Sequence, residues 1–297
     1  MSWSIIPAPQ STEADQLAAA RQMCWQATSR IDTYVHQVLR ATVNTEYPAG
    51  PGMPRCNVDP DTGNGVLIMK RWPVTEVLAI QTSPARSFPA AWTPVPAGQW
   101  RIRHPLVFSG DSAAPTGPDG SWTVDVAPGY ISWQAAARRR GGLLVQASHV
   151  NGWPHTSLTE DAPEGAETLY VDDVTGWAGA AGFAYDGGAT EQAVVASVTA
   201  NTAFPLPNGA GFALSGPGML TLSSPLQYQH EAGTVVSALP ATVIESAVYA
   251  AAIQALEGGI DSVTIQTLTG EKVSSGSGIS DIATEMELLL DPFKRVI

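Results

Sequence analysis

Five histidines, one pair of adjacent aspartates and one run of three arginines are the residues of this 297-residue chain whose types could do chemistry. Histidine works as an acid–base group or a metal ligand near neutral pH. His36, His104, His149, His155 and His230 nowhere fall at the short spacings of a zinc site. His36 lies in a helical pattern and reads as a surface or interface residue. His149 and His155 flank Trp153-Pro154 and read as packing residues, and His230 has only Glu231 beside it as an acid–base partner. Asp172-Asp173 could hold a cation, but adjacent acids after a strand more often form a turn. Arg138-Arg-Arg140 precedes Gly141-Gly142 and reads as a hairpin tip. Three arginines are too few for a nucleic-acid surface, and an acidic neighbour would pair with them equally well. The phosphate loop, the dinucleotide fingerprint and the Gly-x-Ser-x-Gly elbow do not occur. On this reading the chain is not an enzyme, and no metal or cofactor is expected.

The charge is spread unevenly. Residues 1–140 hold 12 Lys and Arg against 10 Asp and Glu, whereas residues 141–271 hold 13 acidic side chains and no Lys or Arg. Duplex affinity rests on basic side chains that displace counterions, so this second stretch cannot grip phosphate. It is either an acidic, solubilising surface or one that must not stick to nucleic acid passing close by. Charged residues make up 14% of the chain, against a usual value of roughly 25%. The 28 Gly and 23 Pro imply many turns and short strands. No run of about 18 apolar residues occurs, so no membrane span is expected. MSWSIIPAPQ has no basic region or apolar core of a secretion signal. Cys24 and Cys56 are the only cysteines; a disulfide is conceivable, but a reduced, intracellular setting is simpler.

What positions these residues is a helix, then strands, then helices. Thr12 to about Thr42 contains no Gly or Pro. Apolar residues recur at Leu17, Ala20, Cys24, Ala27, Ile31, Tyr34 or Val35, and Val38 or Leu39, one stripe along a helix. Ser11 or Thr12 can cap it, Glu13 and Asp15 suit its N-terminal dipole, and Arg40 suits the other end. About 30 residues give a rod of roughly 45 Å. Tyr47-Pro-Ala-Gly-Pro-Gly-Met-Pro54 is expected to be irregular and to mark the exit from the helix.

Strand patterns follow at 65–69, 74–82, 99–104, 121–126, 129–133 and 143–150, a small antiparallel sheet or sandwich. A second β module is expected over 157–239, with strands at 167–171, 182–185, 191–199, 218–222 and 233–237. The spacing predicts a helix over Ala241–Glu257, with Ile244, Ala247, Val248, Ala251, Ala255 and Leu256 apolar, stopped by Gly258-Gly259. Residues 260–278 read as a flexible linker. Ser280 caps a last helix, Asp281–Leu290, which Asp291-Pro292 ends. The fold class is therefore α+β: a helical unit from N- and C-terminal helices around a β-rich middle, made of a small antiparallel sheet and a second, inserted β module. The parts are 1–46 (arm and long helix), 47–152 (antiparallel β), 153–239 (inserted β module) and 240–297 (C-terminal helices, linker and tail).

The order of several motifs resembles the head–tail connector proteins of long-tailed bacteriophages, also called adaptor or head-completion proteins, in their actinophage-like form. They are an N-terminal helix, Arg71-Trp-Pro-Val-Thr-Glu-Val77, His149-Val-Asn-Gly-Trp-Pro-His-Thr156, Ala166-Glu-Thr-Leu-Tyr-Val-Asp-Asp-Val-Thr-Gly176, Tyr185-Asp-Gly-Gly188 and Glu191-Gln-Ala-Val-Val195. His230-Glu-Ala-Gly-Thr-Val-Val-Ser-Ala-Leu-Pro240, the helix after it and Leu290-Asp-Pro-Phe-Lys-Arg-Val296 complete the series. Together they cover most of the chain. Each motif is degenerate; their order is what resembles the family.

The resemblance implies a structural virion protein, assembled in the host cytoplasm and placed at the head–tail interface. It implies a homo-oligomeric ring, usually of twelve copies, with the portal protein above and a tail-side stopper or tail terminator below. DNA would pass through the channel without specific binding. Leu17, Cys24, Ile31, Val35, Leu39, Ile244, Val248 and Ala251 would pack helices in the ring. Leu288-Leu289-Leu290-Asp291-Pro292-Phe293-Lys294-Arg295-Val296-Ile297 would touch the portal. Two other readings are a tail-completion or tail-tube protein, and a β-rich carbohydrate-binding protein or hydrolase whose nine Trp and seven Tyr stack on sugars.

Overall fold

The first helix stops well before its apolar spacing predicts. In the computed structural model α1 spans Glu13–Val35, about 35 Å long. His36 takes a left-handed φ of 57°, unfavourable for a residue with a Cβ and incompatible with further helix. From Leu39 the backbone is claimed by strand pairing: Trp153 N–H donates to Leu39 O at 2.9 Å, and Ala41 N–H donates to Trp153 O at 2.8 Å. The structure describes residues 13–50, 53–84, 90–103, 122–128, 130–131, 143–257, 264–266, 272–274 and 278–294. The expected caps at Ser11 and Thr12, the Gly258-Gly259 stop, His104 and the Arg138–Arg140 cluster lie outside them. The architecture is α+β, with helices from both ends of the chain and a β-rich middle. The described residues form two compact units, a helical one from before Leu39 and after Ala238, and a β one from Leu39 to Ala238.

The helical unit contains α1, α2 (Ala241–Glu257) and α3 (Gly278–Leu290), with a 3-10 turn at Asp291–Phe293. α2 has the bounds its sequence predicts, and its first turn closes on Pro240 O through Val243 and Ile244 N–H. α1 packs on α2, and α2 on α3. The core is Ala27, Ile31 and Val35 from α1, Val243, Val248, Ala250 and Ile253 from α2, and Ile282, Met286 and Leu290 from α3, closed by Phe293. Burying each large side chain here contributes about 1.5–3 kcal/mol.

Four expectations change in this unit. Cys24 is exposed, not a core residue, because cover reaches α1 only from Ala27 onward. On α2, Val248 is buried but Ile244, Ala247, Ala251, Ala255 and Leu256 are half-buried. Apolar residues lie nearly all round that helix, so spacing alone does not select the inner line. Residues 260–278 contain an antiparallel pair, Thr264–Gln266 with Lys272–Ser274, where a plain linker is expected. α3 also starts earlier than Asp281, which leaves Ser280 in its first turn; it ends at Leu290 as expected, and a 3-10 turn follows at Asp291–Phe293.

In the β unit the strands are β1 (Thr42–Gly50), β2 (Met53–Pro54), β3 (Cys56–Val58), β4 (Gly65–Met69), β5 (Val74–Pro84), β6 (Thr93–Pro94), β7 (Trp100–Arg103), β8 (Trp122–Val126) and β9 (Leu143–Asn151). They make a five-stranded sheet in the order β2-β1-β9-β5-β6 and a four-stranded sheet in the order β3-β4-β8-β7. Tyr47–Pro54 is thus strand for most of its length, against expectation. Pro48 falls in the register shift between Glu46 and Ala49, where the ladder does not need its missing N–H. Of the strand expected at 129–133, residues 130–131 form a bend and the rest lie outside the described residues.

The chain continues as β10 (His155–Ser157), β11 (Thr168–Val171), β12 (Ala181–Tyr185), β13 (Glu191–Ala200), β14 (Ala203–Pro205), β15 (Phe212–Leu214), β16 (Gly218–Leu222) and β17 (Val235–Ser237). Six of these form an antiparallel sheet in the order β10-β17-β12-β13-β16-β11. Thr159 N–H donates to Tyr170 O and Asp172 N–H to Ser157 O, so the two outer strands meet and the sheet closes as a small barrel. Closure removes the unpaired edges. Trp177, Leu169, Leu220, Val195 and Val236 fill the interior. A Cβ on Gly218 would lie 2.2 Å from Thr199 O, so only glycine permits that strand crossing. The β14–β15 hairpin rests Leu206 and Ala213 on Ala79 of β5.

Candidate functional site

The expected interface residues separate into a packed set and an open set. Ile31, Val35 and Val248 are buried in the helical unit; Ile244 and Ala251 are half-buried, and Leu39 is buried in the β unit. The Leu17 side chain lies outside the described residues. Leu290 and Phe293 are fully packed, Leu289 is half-buried and Leu288 is 61% exposed. Asp291, Pro292 and Lys294 are exposed; Arg295, Val296 and Ile297 lie outside the described residues.

Tyr34 anchors this end of the chain. Its hydroxyl donates to Asp291 Oδ1 at 2.6 Å, and its ring centroid lies 4.4 Å from Lys294 Nζ, a cation–π contact. Burial, the bond to Asp291 and the nearby Asp291 and Glu287 carboxylates push its pKa up to about 12. Gln37 Nε2 donates to Phe293 O at 3.3 Å. Beside these contacts a cleft of about 520 Å³ runs between the three helices, with Trp25, Arg30, Tyr34, Gln254, Met286 and Glu287 in its wall. Arg30 is paired with Glu257 at 3.2 Å.

In the β unit the two tryptophan motifs meet. Trp72 and Trp153 pack edge to face, 6.3 Å between centroids, and Gly152 N–H donates to Pro73 O at 2.9 Å. Gly152 has a φ of 92°, and a Cβ there would lie 2.5 Å from Arg40 O. Under this junction Glu46, almost wholly buried, accepts Lys70 N–H at 2.9 Å, Arg71 N–H at 3.1 Å and Arg55 Nη1 at 2.6 Å. Arg71 donates to Asn44, whose amide reaches Thr42 and Asn151. His149, fully buried, has Nε2 3.7 Å from Glu46 Oε1, and neither ring nitrogen makes a hydrogen bond. Burial lowers its pKa against the pull of Glu46, with Arg71 and Arg55 reinforcing burial. The arrangement holds a neutral imidazole in a packed polar node.

The third cluster clasps one end of the barrel. His230 is fully buried, with Nδ1 3.2 Å from Asp186 Oδ2 and Nε2 3.0 Å from Glu191 Oε1. A carboxylate only accepts, so making both bonds requires a proton on each ring nitrogen. Glu191 also accepts Gln227 N–H at 2.7 Å and Tyr228 N–H at 2.9 Å. Burial raises the pKa of Glu191, but these three donors outweigh it and hold the carboxyl below its usual range. His230 therefore ties the loops after β12 and β16. Glu160, Asp161, Glu164, Glu167, Asp186 and Glu231 stand on loops at this end, with no Lys or Arg between residues 141 and 271. The carboxylates lie on opposite edges of the imidazole and do not converge on one point.

Asp172 and Asp173 lie in the loop after β11, where Asp173 supports the turn at Thr175-Gly176. Asp173 accepts Thr175 N–H, the Thr175 hydroxyl and Gly216 N–H and pairs with Arg40 at 2.7 Å; Asp172 accepts the Thr156 hydroxyl at 2.6 Å. His155 Nδ1 lies 3.0 Å from Ser237 Oγ, and burial lowers its pKa. Both cysteines are free thiols; burial raises Cys56 to about 11. Among the described residues no group of three or more His, Cys, Asp or Glu could hold a metal ion. No described helix is long and apolar enough to cross a membrane.

Glu46 as a hub, and Asp186 and Glu191 as partners of His230, escape a reading of the sequence. Glu46 bonds residues 24 and 25 positions away, and the histidine's partners lie 44 and 39 positions away. Their sequence signal is only a lone acid within a strand (Glu46), at the start of one (Glu191) or just after one (Asp186). The chain matches no protein-family model, no curated protein and no solved structure.

Proposed function

We propose that this chain is a structural virion protein, a connector subunit that forms a ring between the portal and the tail of a long-tailed bacteriophage. The observation that carries the reading is the uncovered half of α1. From Ala18 to Gln26 no residue is buried, and Trp25 is 75% exposed although the stretch also holds Met23, Cys24 and three alanines. A lone helical segment of this length is marginal in water, and apolar residues on it gain stability when a neighbour covers them. A ring supplies such a neighbour through a heterologous contact, in which one face meets a different face of the next copy.

The motif order supports the same reading, as does the stretch from 141 to 271 without a basic side chain, over which DNA would slide without being held. The portal would lie on the side of Leu288 and the chain end, a tail-side stopper or terminator on the other, and twelve copies would close the ring. Electron microscopy of negatively stained protein, alone and mixed with its cognate portal protein, tests this. Rings, free or on the portal, support it. A monomer that ignores the portal and binds tail subunits would move the protein to tail completion.

A further inference from the structure

The β14–β15 hairpin carries an open apolar face. Ala203 stands opposite Leu214 and Pro205 opposite Phe212, so these four side chains share one side of the hairpin. All four are exposed, Phe212 at 70% and Leu214 at 47%. The other side holds Ala213, buried against Ala79, and Phe204, half of whose surface stays open. The hairpin is fastened in place. Asn208 in its loop donates through Nδ2 to Gln146 Oε1, and its carbonyl accepts Gln81 Nε2 at 3.5 Å; both glutamines are almost wholly buried. Two strands of three residues are marginal by themselves, so these bonds keep the apolar face at a fixed place on the sheet.

Charge selects what covers this face. Residues 201–217 contain no charged side chain, but they lie within the stretch from 141 to 271 that has 13 acids and no Lys or Arg. A hairpin-to-hairpin contact would bring two such acidic stretches together, and like charges across an interface suppress a partner of that kind. Leu288 and Ile279 are exposed too, but their helix, α3, holds Asp281, Glu285 and Glu287 and no Lys or Arg. The open part of α1, Ala18 to Gln26, has an exposed Arg21 as its one charge and Trp25 as its largest apolar side chain. Its sign suits an acidic neighbour, and its three alanines leave room for an inserted ring. We propose that Phe212 and Leu214 of one copy seat on the open part of α1 of the next copy, around Trp25. This rests on the ring reading and names the second face of its heterologous contact.

The test uses the thiol that α1 already carries. Cys24, next to Trp25, is exposed and free, whereas Cys56 is buried. Ala203→Cys in the full chain is assembled with the cognate portal protein, imaged for rings, treated with a short bis-maleimide crosslinker and resolved under denaturing conditions. Bridges from each copy to the next give a ladder of dimers, trimers and longer chains. Wild type, and Ala203→Cys combined with Cys24→Ser, stay monomers. Phe212→Asp keeps the wild-type thermal midpoint and lowers the fraction of chain in rings at least about tenfold. Rings without a ladder, or rings of normal yield from Phe212→Asp, overturn this contact and leave the connector reading intact. Dimers from either thiol alone assign an isologous contact, and a bridge that keeps the mass of a monomer assigns cover within one copy; both overturn the proposal. Wild-type chain that forms no ring with portal removes the connector reading, and this contact with it.

Discussion

Glu46→Ala is the substitution from which the β unit should lose most stability. The carboxylate is 8% exposed and is the acceptor for two backbone N–H groups and for Arg55, itself only 18% exposed. Removing it leaves the two backbone N–H groups without a partner in a site water hardly reaches, and leaves the Arg55 guanidinium with Ile68 O at 3.2 Å but no countercharge. Each orphaned buried donor costs about 1–3 kcal/mol, and breaking a buried pair costs about 3–5 kcal/mol. Because Arg55 retains some solvent, a total loss of about 3–4 kcal/mol is the working figure. Glu46→Gln keeps the shape and one acceptor oxygen, and should cost about 1–2 kcal/mol, mainly through the lost charge on Arg55. Urea unfolding followed by tryptophan fluorescence measures both variants, and a double-mutant cycle with Arg55→Ala isolates the pair. A Glu46→Ala loss below about 1 kcal/mol would refute the reasoning, since it would mean that the node is already open to water.

Other outcomes follow from the same contacts. His149 and His155 have folded pKa values lowered by burial from 6.5, so the stability they contribute is complete above that value and is lost as pH falls through it toward the folded values. The thermal midpoint should therefore drop between pH 7 and 5, and His149→Asn should flatten the slope; a pH-independent midpoint contradicts this. Ile31→Ala, 5% exposed, should destabilise the helical unit by about 2–5 kcal/mol, whereas Trp25→Glu should change stability by no more than about 0.5 kcal/mol and still prevent ring formation. Calorimetry and particle counts separate the two effects; a large stability loss at Trp25 would show that it is covered within the protomer. Glu191→Gln should loosen the loops at 186–190 and 223–234, seen as faster amide exchange at Gln227 and Tyr228, while exchange in β9 stays unchanged.

The sequence was most legible where one period ruled. The bounds of α2 could be read because Pro240 opens it and its interior lacks a breaker, and those of β4, β13 and β16 because each is a run rich in apolar residues between turn signals. α1 was misjudged at its end because Gln37 to Ala41 remain periodic, while Trp153, more than a hundred residues away, supplies the backbone partners that decide their fate. Pro48 argued against a strand, and only the register shift with β9 shows why it is tolerated. The acidic stretch was legible as composition. That its loops gather at one barrel end around His230 depends on closure of the sheet, which no local pattern encodes. The exposed half of α1 was hidden for a related reason: an apolar stripe says that cover is needed, and not whether the same chain provides it.

The claim that this chain is a ring-forming connector is tested most directly by its mass in complex with the cognate portal protein. Native mass spectrometry of the mixture should give a portal ring carrying a full ring of copies of this chain, and Trp25→Glu should leave only portal and monomer. Portal and wild-type chain that remain separate at every concentration would contradict the account.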